Sequence, residues 1–315
     1  MDKTVNEFQA HEEPDGITID ATETDLCVCT WVKIENENGA EAMGKPTGNY
    51  VTIEVNIKES GQQQELYEIA ETVSEYLVRL MNIAEEDSVL VVGVGNRSVL
   101  ADSLGVRVAD KIFVTRHMVG EVNQLLGTKV RPVSAISPGV MGVTGMNTAE
   151  IVRSICDEVK PKLVIVIDAL AARRTSRLCS TIQLCDTGIT PAAGLMGKDK
   201  RLAIDADYLG IPVISIGVPT VINAATIVAD VFSLLAKKHI STEPENTEDE
   251  EEDGVMDAEL LERIQQCTDA MFQTSAFVTP KEIDAAIHYA AYIISTAINK
   301  ALFGEEWEQM PSYSY

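Results

Sequence analysis

An α/β fold is expected here: a mainly parallel central sheet flanked by helices, with a small β-rich N-terminal segment and a C-terminal helix. Three observations carry that expectation. VLVV (89–92) and LVIVI (163–167) are short, largely β-branched apolar runs, the composition of strands buried on both faces. Segments of this kind alternate with amphipathic ones, as parallel strands joined by helical crossovers do. Two of the runs also lead into an Asp: Asp102 follows the loop Gly93-Val94-Gly95-Asn96, and Asp168 follows Ile167. Strand ends of open α/β sheets are where ligands and chemistry usually gather.

The elements follow in order. Residues 1–20 are polar and read as a loose tail or removable leader. The β-rich segment covers 26–34 and 50–57, divided by turn residues at Asn38-Gly39 and Gly44-Lys45-Pro46. Leu66, Ile69, Val73, Leu77 and Leu80 recur at helical spacing, which predicts a helix over 64–82. Strands are expected at 88–94, 111–115, 131–136, 163–168, 181–185 and 211–217. Asn147-Thr148-Ala149-Glu150 opens a helix with a capping pattern. Another helix is expected over about 220–236, with Val221, Ala225, Val228, Val231 and Phe232 facing inward. The acidic stretch 242–254 reads as a solvated linker. Residues 258–272 look helical, and Thr279-Pro280 starts a last helix carrying Ile283, Ile287, Ala291, Ile294 and Ile298. The expected organisation is a tail to 20, an α/β domain over 21–240, an acidic linker over 241–256, and a helical segment over 257–315 packed on that domain.

Composition narrows the function classes. The 315 residues are 45% hydrophobic, enough for a sizeable core. No apolar run approaches the roughly 20 residues that span a bilayer, and the N-terminus lacks a secretory pattern; a cytoplasmic protein without membrane partners is expected. The six cysteines show no CxxC pair and no zinc-ligand spacing, so they read as reduced thiols. A formal charge of −24 repels nucleic acid. Eight of those charges lie between Glu243 and Asp253, and removing them leaves −16, so the acidity is global.

Several motifs suggest chemistry. Gly93-Val94-Gly95-Asn96 lacks the third glycine of a dinucleotide fingerprint, position 98 being Ser; no nucleotide cofactor is expected, and the glycines read as a sharp turn beside a pocket. Asp102 taken alone reads as a cap or surface residue. Asp168 closes an apolar run, where desolvation would raise its pKa, although it could also cap a following helix. Two carboxylates in one cleft push their pKa values apart, and an acid and a base then coexist near neutrality without a metal. The loop 138–145, with Gly139, Gly142 and Gly145, could hold a peptide carbonyl or oxyanion, with Asn96 and His117 as further candidates. Asp186-Thr187-Gly188 matches an aspartic-protease triad but lies outside a β-rich double-psi setting. No GxSxG is present, which argues against a serine hydrolase.

At these residues the chain resembles the bacterial spore germination proteases. The similar segments are VVGVGNRSVLADSLG (91–105), VTRHM (114–118), RPVSAISPGVMGVTGMNTAEI (131–151), VIDALAAR (166–173), TIQLCDTGITPAAG (181–194), LGIPVISIGVPTVINA (209–224) and VTPKEID (278–284). The resemblance implies an atypical aspartic-type endopeptidase that degrades small acid-soluble spore proteins in the spore core. It also implies a sheet similar to that of hydrogenase-maturation proteases, no cofactor or metal, a homo-oligomer, and Asp102 and Asp168 as the catalytic carboxylates. Zymogen processing is implied as well, although Glu23-Thr24-Asp25-Leu26-Cys27 departs from the usual mature start, and Leu100-Ala101 replaces the usual Thr-Pro before the first Asp. Two rivals remain: a catalytically weak binding or regulatory homologue, and a metal-dependent maturation-type endopeptidase.

Overall fold

A computed structural model describes residues 15–55, 62–119, 130–191, 203–240, 263–264, 266–267, 270, 276–304 and 307. Its strands are β1 (Ile17–Glu23), β2 (Cys27–Ile34), β3 (Gly48–Val55), β4 (Val89–Gly93), β5 (Val133–Ile136), β6 (Leu163–Ala172), β7 (Thr181–Cys185), β8 (Val213–Asn223) and β9 (Phe277–Val278). The helices are α1 (Glu37–Met43), α2 (Gln63–Leu80), α3 (Leu104–Ala109), α4 (Met141–Thr144), α5 (Thr148–Val159), α6 (Ala206–Leu209), α7 (Ala224–Ile240) and α8 (Ile283–Phe303).

One sheet holds all nine strands in the order β1-β2-β3-β7-β8-β6-β4-β5, with β9 beside β8. The run β8-β6-β4-β5 is parallel, and the N-terminal strands join it antiparallel through β7. Strand alternation divides the buried side chains between two faces. Ile165 and Ile167 face a large cluster under α2 and α8, whereas Val164 and Val166 face a smaller one under α5 and α6. The last helix thus packs on the α/β sheet. Its Ile287, Ala291, Ile294 and Ile298 are all essentially inaccessible to solvent.

Several expectations need correction. β1 begins at Ile17, inside the stretch read as a tail, and Thr24–Leu26 forms the turn of the β1–β2 hairpin, closed by the Thr24 N–H on the Cys27 carbonyl at 2.8 Å. Residues 113–115 form no strand; the N–H of Thr115 reaches the carbonyl of Val133. β8 continues through Asn223, so α7 starts later than expected. Among its described side chains only the small Ala224, Ala225 and Ala229 are buried, while Val228, Val231 and Phe232 are 38%, 50% and 53% exposed. Residues 1–14, the acidic run 242–254 and most of 258–272 lie outside the described residues.

Candidate active site

The chain leaves β4 toward β5 on one side and leaves β6 toward β7 and β8 on the other. The crevice between the carboxyl ends of β4 and β6 is therefore the topological switch point of the parallel sheet. The sheet is also stepped at this place. β4 ends its pairing at Gly93 opposite Ile167, whereas β6 runs beside β8 as far as Ala172. One further rung, from the Val94 N–H to the Ile167 carbonyl at 2.8 Å, closes the ladder. Asp168 is the next residue. It does not end its strand or cap a helix: it stands in mid-strand, where its β4 neighbour stops, on the face that Val164 and Val166 share.

The turn Leu100–Asp102 folds back over this step. Oδ2 of Asp102 accepts the Asn96 N–H at 2.8 Å, and the Asp102 carbonyl accepts the same N–H at 3.0 Å. Gly95, at φ 125°, presses so close to the Asp102 carbonyl that a Cβ there would collide with it. Gly93 and Gly105 let α3 settle directly on the strand ends, and a Cβ on Gly105 would strike the carbonyl oxygens of Val94 and Ile167. Gly105 thus supplies the close helix–strand contact whose glycine was sought at position 98. From the other side, the Thr220 hydroxyl of β8 donates to the Ala101 carbonyl at 2.7 Å. Arg97 pairs through both terminal nitrogens with Asp110, at 2.7 and 2.9 Å, and so ties the loop to the end of α3.

Electrostatics separate the two carboxylates. Asp168 is 4% exposed. Burial and then the Asp102 charge push its pKa up to about 7, against the lowering effect of the Ala169 N–H, which donates to Oδ1 at 2.8 Å. Burial also raises Asp102, while the Asn96 N–H pulls it back down. The Asp102 charge is thus one cause of the Asp168 elevation, and the two carboxylates titrate as interacting groups.

The other candidates fall in different places. Asn96 joins the site through its backbone; its side-chain oxygen is occupied by the Ser98 N–H at 3.0 Å. Gly139, Gly142 and Gly145 lie past the carboxyl end of β5, on the same sheet edge as the pair. Gly139 and Gly145 have positive φ, and the Gly145 N–H is spent on the Met141 carbonyl as the cap of α4. His117 is exposed beside the amino end of β5, one residue past the Arg116 N–H that reaches Val133. Asp186 is a clamp: its two oxygens accept the backbone and side-chain nitrogens of Asn49 at 2.8 and 2.6 Å. Sequence reading missed Gln183, which shares a row and a face with Asp168 across Gly217. The Leu170 side chain lies over Gly217 between them. Among the described residues no three His, Cys, Asp or Glu side chains gather as a metal site. No helix among those residues is long and apolar enough to cross a membrane.

A mixed α/β sheet with two carboxylates of raised pKa at its switch point places the chain among α/β proteins with an acidic pair where such sheets bind their ligands. Comparison with known proteins gives the particular family. The germination protease family matches residues 1–275. The germination protease of Clostridium perfringens is 39% identical over 310 residues, covering 95% of this chain and 92% of that protein. That of Caldanaerobacter subterraneus subsp. tengcongensis is 41% identical over 298 residues, covering 94% and 91%. That of Bacillus cytotoxicus is 35% identical over 322 residues, covering 91% and 87%. The chain belongs to the germination protease family, a family of peptidases. Among solved structures, a NiFe hydrogenase maturation protease from Thermococcus kodakarensis aligns with 46% of this chain and 80% of its own, at 17% identity and a TM-score of 0.30.

Proposed function

We propose that this chain is an endopeptidase of spore germination that hydrolyses small acid-soluble spore proteins by an aspartic-type mechanism, with Asp102 and Asp168 as the catalytic pair. The observation that carries the reading is a buried carboxylate at the step between β4 and β6 whose pKa is raised by burial and then by the charge of a second carboxylate, Asp102. In this reading Asp102, ionised, takes a proton from water as it attacks the scissile carbonyl. Asp168, protonated, supports the developing oxyanion and then donates its proton to the departing amine. The loop bearing Gly139 and Gly142 borders the same edge and would hold the peptide carbonyl. Loosely folded substrates suit this site, because an extended chain lies along a sheet edge without prior unfolding. Zymogen processing, assembly into a homo-oligomer and residence in the spore core belong to the same proposal, supported by the family alone.

The test is cleavage of a purified small acid-soluble spore protein, read by mass spectrometry of the fragments. Asp102→Asn and Asp168→Asn should each slow turnover by at least about 100-fold while the circular dichroism spectrum stays that of the parent. Parent-like turnover by Asp168→Asn would remove the mechanism; binding of the substrate by the parent without fragments would make the chain a binding protein.

A further inference from the structure

On the α8 side of the sheet, away from the carboxylate pair, lies a cavity of about 320 Å³ between the first turns of α8 and strands β3, β7 and β8. Its size falls at the lower end of the range of about 300–1,000 Å³ typical of small-ligand sites. α8 lines it with Ala285, Ala286, Tyr289, Ala290 and Ile293, and the three alanines leave room that longer side chains would take. The opposing wall is Val55, Ile182 and Val218.

The polar side chains around it are Cys179, Ser180, Thr181, Glu282 and Tyr289, and two of their hydroxyls are committed to backbone carbonyls. The Ser180 hydroxyl donates to the Ser176 carbonyl at 2.6 Å, and the Thr181 hydroxyl to the Arg177 carbonyl at 3.2 Å. Cys179 also lines the cavity, and burial pushes its thiol up to about 11, so it is neutral. Cys179 adopts φ 57°, in the left-handed region that a cysteine rarely occupies. Its N–H is held by the Pro219 carbonyl at 2.7 Å. Backbone outliers of this kind persist where the surroundings impose them, and they gather at binding sites. Glu282, exposed at the head of α8, is the one charged residue among those lining the cavity.

We propose that this cavity is a second binding site, distinct from the carboxylate pair, for a short aliphatic chain ending in a cationic amine. The apolar chain occupies the space over Ala286 and Ala290, and the ammonium group pairs with Glu282 at the mouth. A free alkylamine and a lysine side chain of a bound polypeptide present the same chemistry.

Calorimetric titration of the full chain with n-hexylamine, hexanol, hexanoate and the capped peptide acetyl-Leu-Lys-Leu-amide tests the proposal. Hexylamine should bind with 1:1 stoichiometry, and hexanoate at least tenfold more weakly. Glu282→Gln should weaken hexylamine about tenfold and leave hexanol unchanged, whereas Ala286→Leu, which fills the space, should abolish both. Competition by the peptide identifies a polypeptide side chain as the ligand; its failure to compete identifies the free amine. If hexylamine does not bind, binds no better than hexanoate, or is indifferent to both variants, the site does not exist. Should Ala286→Leu fail to fold, the surface substitution Glu282→Gln still decides. None of these readouts depends on peptide cleavage.

Discussion

The Thr220 hydroxyl of β8 donates 2.7 Å to the carbonyl of Ala101, and this bond ties the turn that carries one carboxylate to the strand beside the other. Thr220 is 1% exposed and also receives the Thr279 hydroxyl on its own carbonyl, at 2.9 Å. Replacing it with Val keeps the shape and leaves the Ala101 carbonyl without this donor, at a cost of about 1–3 kcal/mol. Thr220→Val should lower stability by that amount in urea unfolding. It should reduce kcat about tenfold with KM little changed, because the Asp102 turn loosens while the substrate edge stays intact. Thr220→Ser should restore most of kcat.

Stability should carry the imprint of Asp168 as a function of pH. The unfolded chain releases this proton near pH 4, whereas the folded chain holds it up to about pH 7. The folded state therefore binds the extra proton in between, and its stability falls as pH rises across that window. A rise from 3.8 to about 7, at about 1.4 kcal/mol per unit, sets a ceiling of roughly 4 kcal/mol. Asp168→Asn escapes that cost. It should melt above the parent at pH 8, and the advantage should shrink to nothing by pH 4; a constant difference across this range would mean that Asp168 titrates normally.

Much of this arrangement was legible from sequence, and the parts that were not share a cause. β4 and β6 announce themselves because a strand buried on both faces needs a continuous β-branched run, and α8 because its isoleucines repeat with the helical period. The two Asp residues stand out because each ends or follows such a run. β1 escaped notice because only Ile17 of its seven residues is buried, so no apolar pattern marks it. The inward face expected for α7 held only at Ala225, because residues 220–223 belong to β8 and the buried side of the helix is made by alanines. The close approach at Gly105 and the placement of Gln183 beside Asp168 come from a contact and a register between segments far apart in the chain, and no local pattern encodes either.

Gly105 offers a sharp test of how α3 sits on the site. A methyl group there meets the backbone carbonyls of Val94 and Ile167, which are fixed by the ladder and cannot swing aside as a side chain would. The helix must lift from the step and take the Asp102 turn with it. Gly105→Ala should cost about 1–3 kcal/mol of stability, as overpacking does, and lower kcat at least tenfold. Gly142→Ala, with open space around its Cβ position, should leave stability within about 0.5 kcal/mol of the parent.

The pH–rate profile should respond to Leu170, a residue with no polar atom to offer the reaction. Its side chain lies over Gly217, the cross-strand partner of Asp168, and so helps to keep water from the buried carboxyl. Desolvation is the largest cause of the raised pKa, and admitting water favours the charged form. In the parent, kcat/KM should fall on the alkaline side near pH 7 as Asp168 loses its proton. Leu170→Ala should move that limb about one unit toward acid, and Leu170→Met, which restores the cover, should return it. A general loosening of the site would lower the whole profile without moving its limb. An unmoved limb in Leu170→Ala would therefore assign the elevation of Asp168 to Asp102 and the rest of the fold.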